Sequence, residues 1–286
     1  MPNRIFYACH AISVGGQNIA GAQSVGVTTT FDLEPVFQLG QVKPVDVMNL
    51  APSVEFTVTR AITNTSGTIW NGDFISNVGP SNKTVCLGIG DDTSPLLSSP
   101  GASISCTGAG ISGATYNFPV DGIFTEEITF FADNKQLGGS CGGVSLDTTS
   151  KAKTRQHYAS GAPALVTGAG NLTNISISTS VSREQILRLG SFKGVHTYAN
   201  LPAEVTVEFE VSATSTDGVA WSQVGSCASP TGGAFNKQTI AINICGKTFT
   251  MEDCKLSNVT YGGGDTGGGN ATITFTYTTY NNLTVN

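Results

Sequence analysis

The sequence predicts an all-β, mostly antiparallel fold. Three observations carry this: polar and apolar residues alternate with a period of two in several segments, runs rich in β-branched and aromatic residues end at Gly, Pro, Asn or Asp, and one short stretch alone carries signals for both ends of a helix. After a short strand near His10, residues 25–33 form the first well-marked one. At 53–59, Val54, Phe56 and Val58 alternate with Ser53, Glu55, Thr57 and Thr59, so one face is buried and the other wet. Residues 61–76, around Ile62, Ile69 and Trp70, are ambiguous, and Gly67 opposes a long helix there. Strands follow at 84–90, 103–118, 124–132 and 172–179. Residues 182–190 carry Ser182 as an N-cap, Gln185 three positions on and Gly190 as terminator, which predicts a helix of about two turns. The clearest strand is 203–211, where Val205, Val207, Phe209 and Val211 oppose Glu204, Thr206, Glu208 and Glu210. Residues 238–244 and 254–261 are further strands. At the end, Ile273, Phe275 and Tyr277 alternate with Thr272, Thr274, Thr276 and Thr278.

Composition narrows the function. The chain of 286 residues carries 14 Lys and Arg against 20 Asp and Glu, and its charged fraction of 12% is about half the usual value. The 35 glycines are many, yet Gly and Pro together stay below the level of low-complexity disorder, so the chain is expected to fold. A coiled coil is excluded by composition, and a sequence-reading nucleic-acid binder by the absence of any basic run. No apolar stretch approaches the length of a membrane span. The first ten residues lack the apolar core of a secretory leader, so the chain is read as not exported. Seven cysteines, with no C-x-x-C pair, are read as reduced thiols rather than a disulfide framework or zinc ribbon. No repeat of 20–50 residues and no linker is found, so residues 1–286 are read as one β domain. Residues 137–164 and 214–237 are read as long loops or insertions.

Several motifs could carry chemistry. Gly139-Ser-Cys-Gly-Gly143 fits the surroundings of a chymotrypsin-like cysteine protease nucleophile, Cys141. Only His10 precedes it as a base, so the bland reading is a glycine-rich loop tip. Gly108-Ala-Gly-Ile-Ser-Gly113 matches a dinucleotide fingerprint, but strand rather than helix follows, which removes the helix N-terminus that phosphate needs. Gly246-Lys-Thr248 lacks the first glycine of a phosphate loop and reads as a tight turn. The glycines flanking Asp265 read as a left-handed or bulged turn rather than a calcium repeat. Glu204, Glu208 and Glu210 share one strand face and read as solvated surface rather than a metal cluster, and the three histidines are dispersed. No cofactor or metal is expected. An exposed aromatic platform around Trp221 would instead mark a carbohydrate-binding or adhesin β-sandwich.

Several ordered segments resemble the tail tube proteins of tailed bacteriophages. They are residues 21–41, from Gly21-Ala-Gln-Ser-Val-Gly to Phe-Gln-Leu-Gly-Gln41, with Val54-Glu-Phe-Thr-Val-Thr59; Phe118-Pro-Val-Asp-Gly-Ile-Phe-Thr-Glu-Glu127; Ser182-Arg-Glu-Gln-Ile-Leu-Arg-Leu-Gly190 with Tyr198-Ala-Asn-Leu-Pro-Ala-Glu-Val-Thr-Val207; and Gly262-Gly-Gly-Asp-Thr-Gly-Gly-Gly-Asn270 with Tyr280-Asn-Asn-Leu-Thr284. The resemblance implies a β-sandwich-like barrel of two packed sheets with one short helix, and a structural virion protein without enzyme activity. It implies hexameric rings whose strands join in an inter-subunit barrel, stacked into the tail tube through which genomic DNA is ejected. The implied location is the virion tail, assembled in the host cytoplasm. The implied partners are copies of the chain itself, tape measure, baseplate or tail tip and terminator proteins, a sheath if the tail is contractile, and passing DNA that is not specifically bound. On this reading Glu204, Glu208, Glu210, Thr272, Thr274, Thr276 and Thr278 are expected to face the lumen. Lys151, Lys153, Arg155 and His157 are expected on a loop that reaches a neighbouring subunit.

Overall fold

The computed structural model describes residues 5, 10–63, 70, 72–78, 83–91, 102–138, 151–213, 236–263 and 271–286. In chain order the strands are β1 (His10–Val14), β2 (Gln17–Asn18), β3 (Ala22–Thr30), β4 (Leu33–Val36), β5 (Asp46–Asn49), β6 (Ser53–Ala61) and β7 (Gly72–Asp73), followed by helix α1 (Phe74–Val78). Next come β8 (Lys83–Ile89), β9 (Ala102–Pro119), β10 (Thr125–Ala132), β11 (Asn134–Leu137), a 3-10 turn (Arg155–His157), β12 (Tyr158–Ser160) and helix α2 (Ala164–Ala169). The chain ends with β13 (Gly170–Ile186), β14 (His196–Ala213), β15 (Gln238–Ile244), β16 (Lys247–Gly262), β17 (Thr272–Thr279) and β18 (Leu283–Val285). The fold is all-β and the strand pairs are antiparallel, as the period-two segments require.

Eight strands form the main wall, in the order β3-β6-β10-β9-β13-β14-β17-β16. β9 and β16 are too long to stay in it. The first half of β9 leaves to pair with β8 and β11, and the first half of β16 pairs with β15 and β18. Each long strand thereby folds a smaller sheet back over the apolar side of the wall. Phe249, from the sheet around β15, stands edge-on to Tyr116 and Phe118 of the wall, with ring centroids 4.9 and 5.5 Å away. One continuous hydrophobic cluster fills the interior.

The pairing registers show that the architecture is made twice. β1, β3, β6, β8, β9, β10 and β11 have the same partners as β12, β13, β14, β15, β16, β17 and β18 respectively. The irregularities recur too. β3 shifts register against β6 between Ala22 and Ser24, and β13 against β14 between Leu172 and Asn174. The β8–β9 shift between Lys83 and Val85 reappears between Gln238 and Ile240. The bulge at Ser112 reappears at Ser257, and each serine hydroxyl donates to the carbonyl across the strand pair, Thr129 O at 3.1 Å and Thr276 O at 3.0 Å. Bulges at matching places are built features of a repeated unit. In sequence, the hairpins carry the trace: Glu34, Leu39-Gly40, Lys43, Val45 and Asn49-Leu50 return as Glu184, Leu189-Gly190, Lys193, Val195 and Asn200-Leu201.

Three expectations are corrected. The helix at 182–190 is strand and hairpin: Ser182–Ile186 pairs with His196–Asn200, and Gly190 lies in the left-handed region (φ 84°) as Gly40 does in the first hairpin (φ 88°). Serine and glycine there cap a β-turn, a use that local helix signals do not distinguish. The two short helices lie elsewhere, at α1 and α2. The loop read at 137–164 contains β11's last residue, the 3-10 turn and β12, which pairs with β15. Residues 139–150 and 214–235, and with them Cys141 and Trp221, lie outside the described residues. The reading of all thiols as reduced is also corrected: Cys86 is disulfide-bonded, while Cys106, Cys245 and Cys254 are free.

The repeats differ at one costly point. Arg60 Nε lies 2.5 Å from Glu126 Oε2, and both side chains are buried. The matching positions on β14 and β17 are Val211 and Ile273, which face each other across the same strand pair. Removing one member of a buried ion pair leaves a desolvated charge and costs about 3–5 kcal/mol, whereas replacing both with apolar residues is often neutral. Arg60→Val is therefore expected to lose about 3–5 kcal/mol in urea unfolding, and Arg60→Val with Glu126→Ile to regain most of it.

Candidate functional site

The outer face of the eight-stranded wall is the surface with the most unusual chemistry. Alternation sends Val54, Phe56, Val58, Ile128, Phe130, Ile175, Ile177, Val205, Val207, Phe209, Phe275 and Tyr277 into the core. Their neighbours on the same strands form a nearly unbroken field of small hydroxyls. One row crosses all eight strands: Ser24, Thr59, Glu127, Thr115, Ser178, Thr206, Thr278 and Lys255. The next row brings Asn117, Ser176, Glu208, Thr276 and Asn258 side by side.

Among the described residues the charged side chains on this face are Glu55, Glu127, Glu204, Glu208, Glu210 and Lys255, with the exposed Lys237–Asp253 ion pair beside Glu204 and Lys255 at its β16 end, so six carboxylates stand against two ammoniums. They are spread out rather than gathered. Thr59 Oγ1 donates to Glu127 Oε2 at 3.0 Å, and Ser257 and Thr278 share a hydroxyl contact of 3.0 Å. Among the described residues no group of three or more His, Cys, Asp or Glu is placed to hold a metal ion. The seven residues expected on a polar face are brought together here: Glu204, Glu208 and Glu210 pair across β14 and β17 with Thr272, Thr274, Thr276 and Thr278 or sit one row from them. Sequence reasoning missed the rest of the face, contributed by β3, β6, β9, β10 and β13. Its signal was present as Thr and Ser at every second position, but strand order, which decides what adjoins what, was not.

Lys151, Lys153, Arg155 and His157 lie on a strap bound to the chain's own body. Lys153 N–H donates to Ile62 O and Phe124 N–H donates to Lys153 O, at 2.8 and 2.9 Å. The His157 ring stands 3.1–3.2 Å from the backbone of Thr154. Lys151 and Arg155 are exposed, and Lys153 and His157 half-buried. A cleft of about 310 Å³ adjoins this strap, lined by Phe118, Phe124, Tyr158, Leu172 and Ile175 with Arg155 and Asn171 at its polar side. Among its described lining residues Arg155 is the one ionisable side chain apart from the Tyr158 phenol.

Two hairpins complete the functional surface. The turns after β3 and after β13 leave the same rim of the wall, because β3 and β13 are four antiparallel steps apart and run in the same direction. In the first hairpin Phe31, Leu33, Phe37, Leu39, Val42 and Met48 are exposed; in the second, Ile186, Leu187, Leu189, Phe192 and Leu201. Apolar tips on this scale mark interaction surfaces.

No protein-family model matches the chain, and no curated protein matches it.

Burial pushes the Cys106 thiol up to about 11, and the Cys254 thiol, with Asp253 beside it, up to about 12. Neither is a thiolate nucleophile near neutrality. Iodoacetamide at pH 8 is expected to leave both unmodified in the folded chain and to alkylate both in guanidinium, read by peptide mass spectrometry.

Proposed function

We propose that the chain is a structural subunit of a phage-type tail tube, with the hydroxyl-rich face of the wall turned toward the lumen. The observation that carries this is the face itself. It is broad, uniform in chemistry and acidic. A wall past which DNA slides should hold phosphate weakly, and the excess of carboxylates over ammoniums on the described face gives it a repulsive field. An adhesin would instead present an aromatic platform; among the described residues this face carries Phe131, half-buried beside Glu55 on β10, and Tyr280 just past β17, four strands away.

The apolar hairpin tips supply the contact between stacked rings. Their number per chain bears on the ring. A subunit with one repeat would need six copies for six equivalent positions; a chain with two repeats needs three. The expected hexamer is accordingly replaced in this proposal by a trimer of two-repeat chains.

Negative-stain microscopy of the purified chain is expected to show rings or tubes with an open lumen, and native mass spectrometry a ring of three chains of 29.5 kDa each. A monomer at high concentration overturns the reading. Charge reversal gives a second check. Wild-type tubes are expected not to retain duplex DNA at about 0.15 M salt, whereas Glu208→Lys with Glu210→Lys is expected to bind it in a salt-dependent manner. DNA retention unchanged by the reversal would remove that face from the lumen.

A further inference from the structure

The two repeats meet inside the chain at an antiparallel seam between β9 and β13, where Phe118 faces Ile175, Asn117 faces Ser176, Tyr116 faces Ile177, Thr115 faces Ser178 and Ala114 faces Thr179. β3 is the counterpart of β13, and the second half of β16 is the counterpart of the second half of β9. Both counterparts lie at the ends of the eight-stranded wall, each with one side paired and no partner strand on the other among the described residues. We propose that β3 of one copy pairs with the second half of β16 of the next, reproducing the internal seam between chains and continuing the wall head to tail. This rests on the tube reading, to which it adds the interface and its register.

Four observations support the pairing. First, the register follows by equivalence: Gly26 opposite Gly262, Val27 opposite Tyr261, Thr28 opposite Thr260, Thr29 opposite Val259 and Thr30 opposite Asn258. It places core-facing residues opposite core-facing residues throughout.

Second, burial is less complete at the two free edges than at the equivalent positions of the seam. Tyr116 is 0% exposed at the seam, and its counterpart Tyr261 is 55% exposed. Ile175 and Ile177 are buried, and their counterparts Val25 and Val27 only half-buried; Ala114 is buried and its counterpart Val259 half-buried.

Third, neither edge strand carries blunting residues of its own. Natural edge strands are blunted by charges or proline, and residues 22–30 and 258–262 contain no Lys, Arg, Asp, Glu or Pro.

Fourth, the hairpins follow the same rule. The second hairpin leans on the first repeat: Arg183 donates to Ile111 O at 2.9 Å and to Val78 O at 2.6 Å, Gln185 donates to Pro52 O at 3.4 Å, and the Thr197 hydroxyl donates to Asp133. The first hairpin presents Leu33 and Val47 at the positions of Arg183 and Thr197, and both are exposed. The neighbour's second repeat would cover them, with apolar contacts in place of polar ones. Because the two edges differ, the interface is heterologous, and a heterologous interface closes into a ring or runs on as a filament.

Disulfide trapping in the assembled protein tests the register. Thr28→Cys with Thr260→Cys is expected to give disulfides between chains in most of the protein. Thr28→Cys with Asn258→Cys, two positions out of step, is expected to give several-fold less. Thr115→Cys with Ser178→Cys, at the internal seam, should close within one chain and calibrates the chemistry; peptide mapping separates these bonds from those of native cysteines. Rings that form without the Thr28–Thr260 bond, or that favour the shifted pair, overturn the pairing and leave the tube reading standing. Linkage through Thr28→Cys alone means two β3 edges meet in a closed two-fold dimer, which also overturns it. A chain that remains monomeric at high concentration refutes both.

Discussion

Pairing of β9 with β13 is the constraint on which the rest of the structure depends. Without it the chain would be two small sandwiches, each with a four-stranded wall and two raw edges. With it the eight strands share one twist and one core, and their polar faces join into a single surface. The seam is held by backbone hydrogen bonds and by side chains that interlock at its centre. Thr179 Oγ1 accepts from Ala114 N–H at 3.1 Å and lies 3.3 Å from Ala114 O. Tyr116 beside Ile177 is fully enclosed, and burial, with the Glu126 carboxylate adding to it, holds the Tyr116 hydroxyl well above its ordinary pKa. A seam that consumes one edge of each repeat necessarily leaves one of each kind at the ends. The free edges are thus a consequence of the duplication, and their complementarity is inherited from the seam.

The same constraint accounts for where the repeats have diverged. Positions that both repeats bury against themselves stay apolar or change as a pair, as Arg60 with Glu126 and Val211 with Ile273 do. An ion pair taken out of water is at best a modest contributor to stability, so its presence in one repeat and absence from the other shows that the strand pair can be filled either way. The hairpins diverge differently. The second presents polar groups to a surface within its own chain, whereas the first presents leucine and valine to solvent at the same places. Exposed apolar residues on an unprotected rim are a liability for a subunit that stays alone and an asset for one that is covered on assembly.

The strands were legible in the sequence wherever one face is buried and the other wet. The alternations at 53–59, 203–211 and 272–278 fall in β6, β14 and β17 because period two leaves no other regular structure that buries Val54, Phe209 or Phe275. Residues 182–190 were misread because Ser182 and Gly190 serve hairpin geometry as readily as helix capping, and the pairing partner at 196–200 decides between them. The duplication was hidden for another reason. Strand cores tolerate exchange among Val, Ile, Phe and Tyr, so little identity survives outside the hairpin turns, where Leu39-Gly40 and Leu189-Gly190 meet the same backbone demand. Of the candidate site, the β14 and β17 portions were visible, and the remaining strands became part of the same face only through the order of pairing. Arg60 falls in the buried phase of Val54, Phe56 and Val58, and Glu126 in that of Ile128 and Phe130, so a charge standing in the apolar phase of each strand was the local trace of the pair.

Two-repeat subunits joined edge to edge should change the solvent access of a few backbone amides and leave most others alone. Amide hydrogen exchange, compared between dissociated chains and assembled particles, measures this directly. The account predicts new protection at residues 24–30 and at 258–262 together, with no gain across 113–119 and 174–180, which are already paired within the chain. Assembly that protects neither edge, or that protects only one, would contradict it.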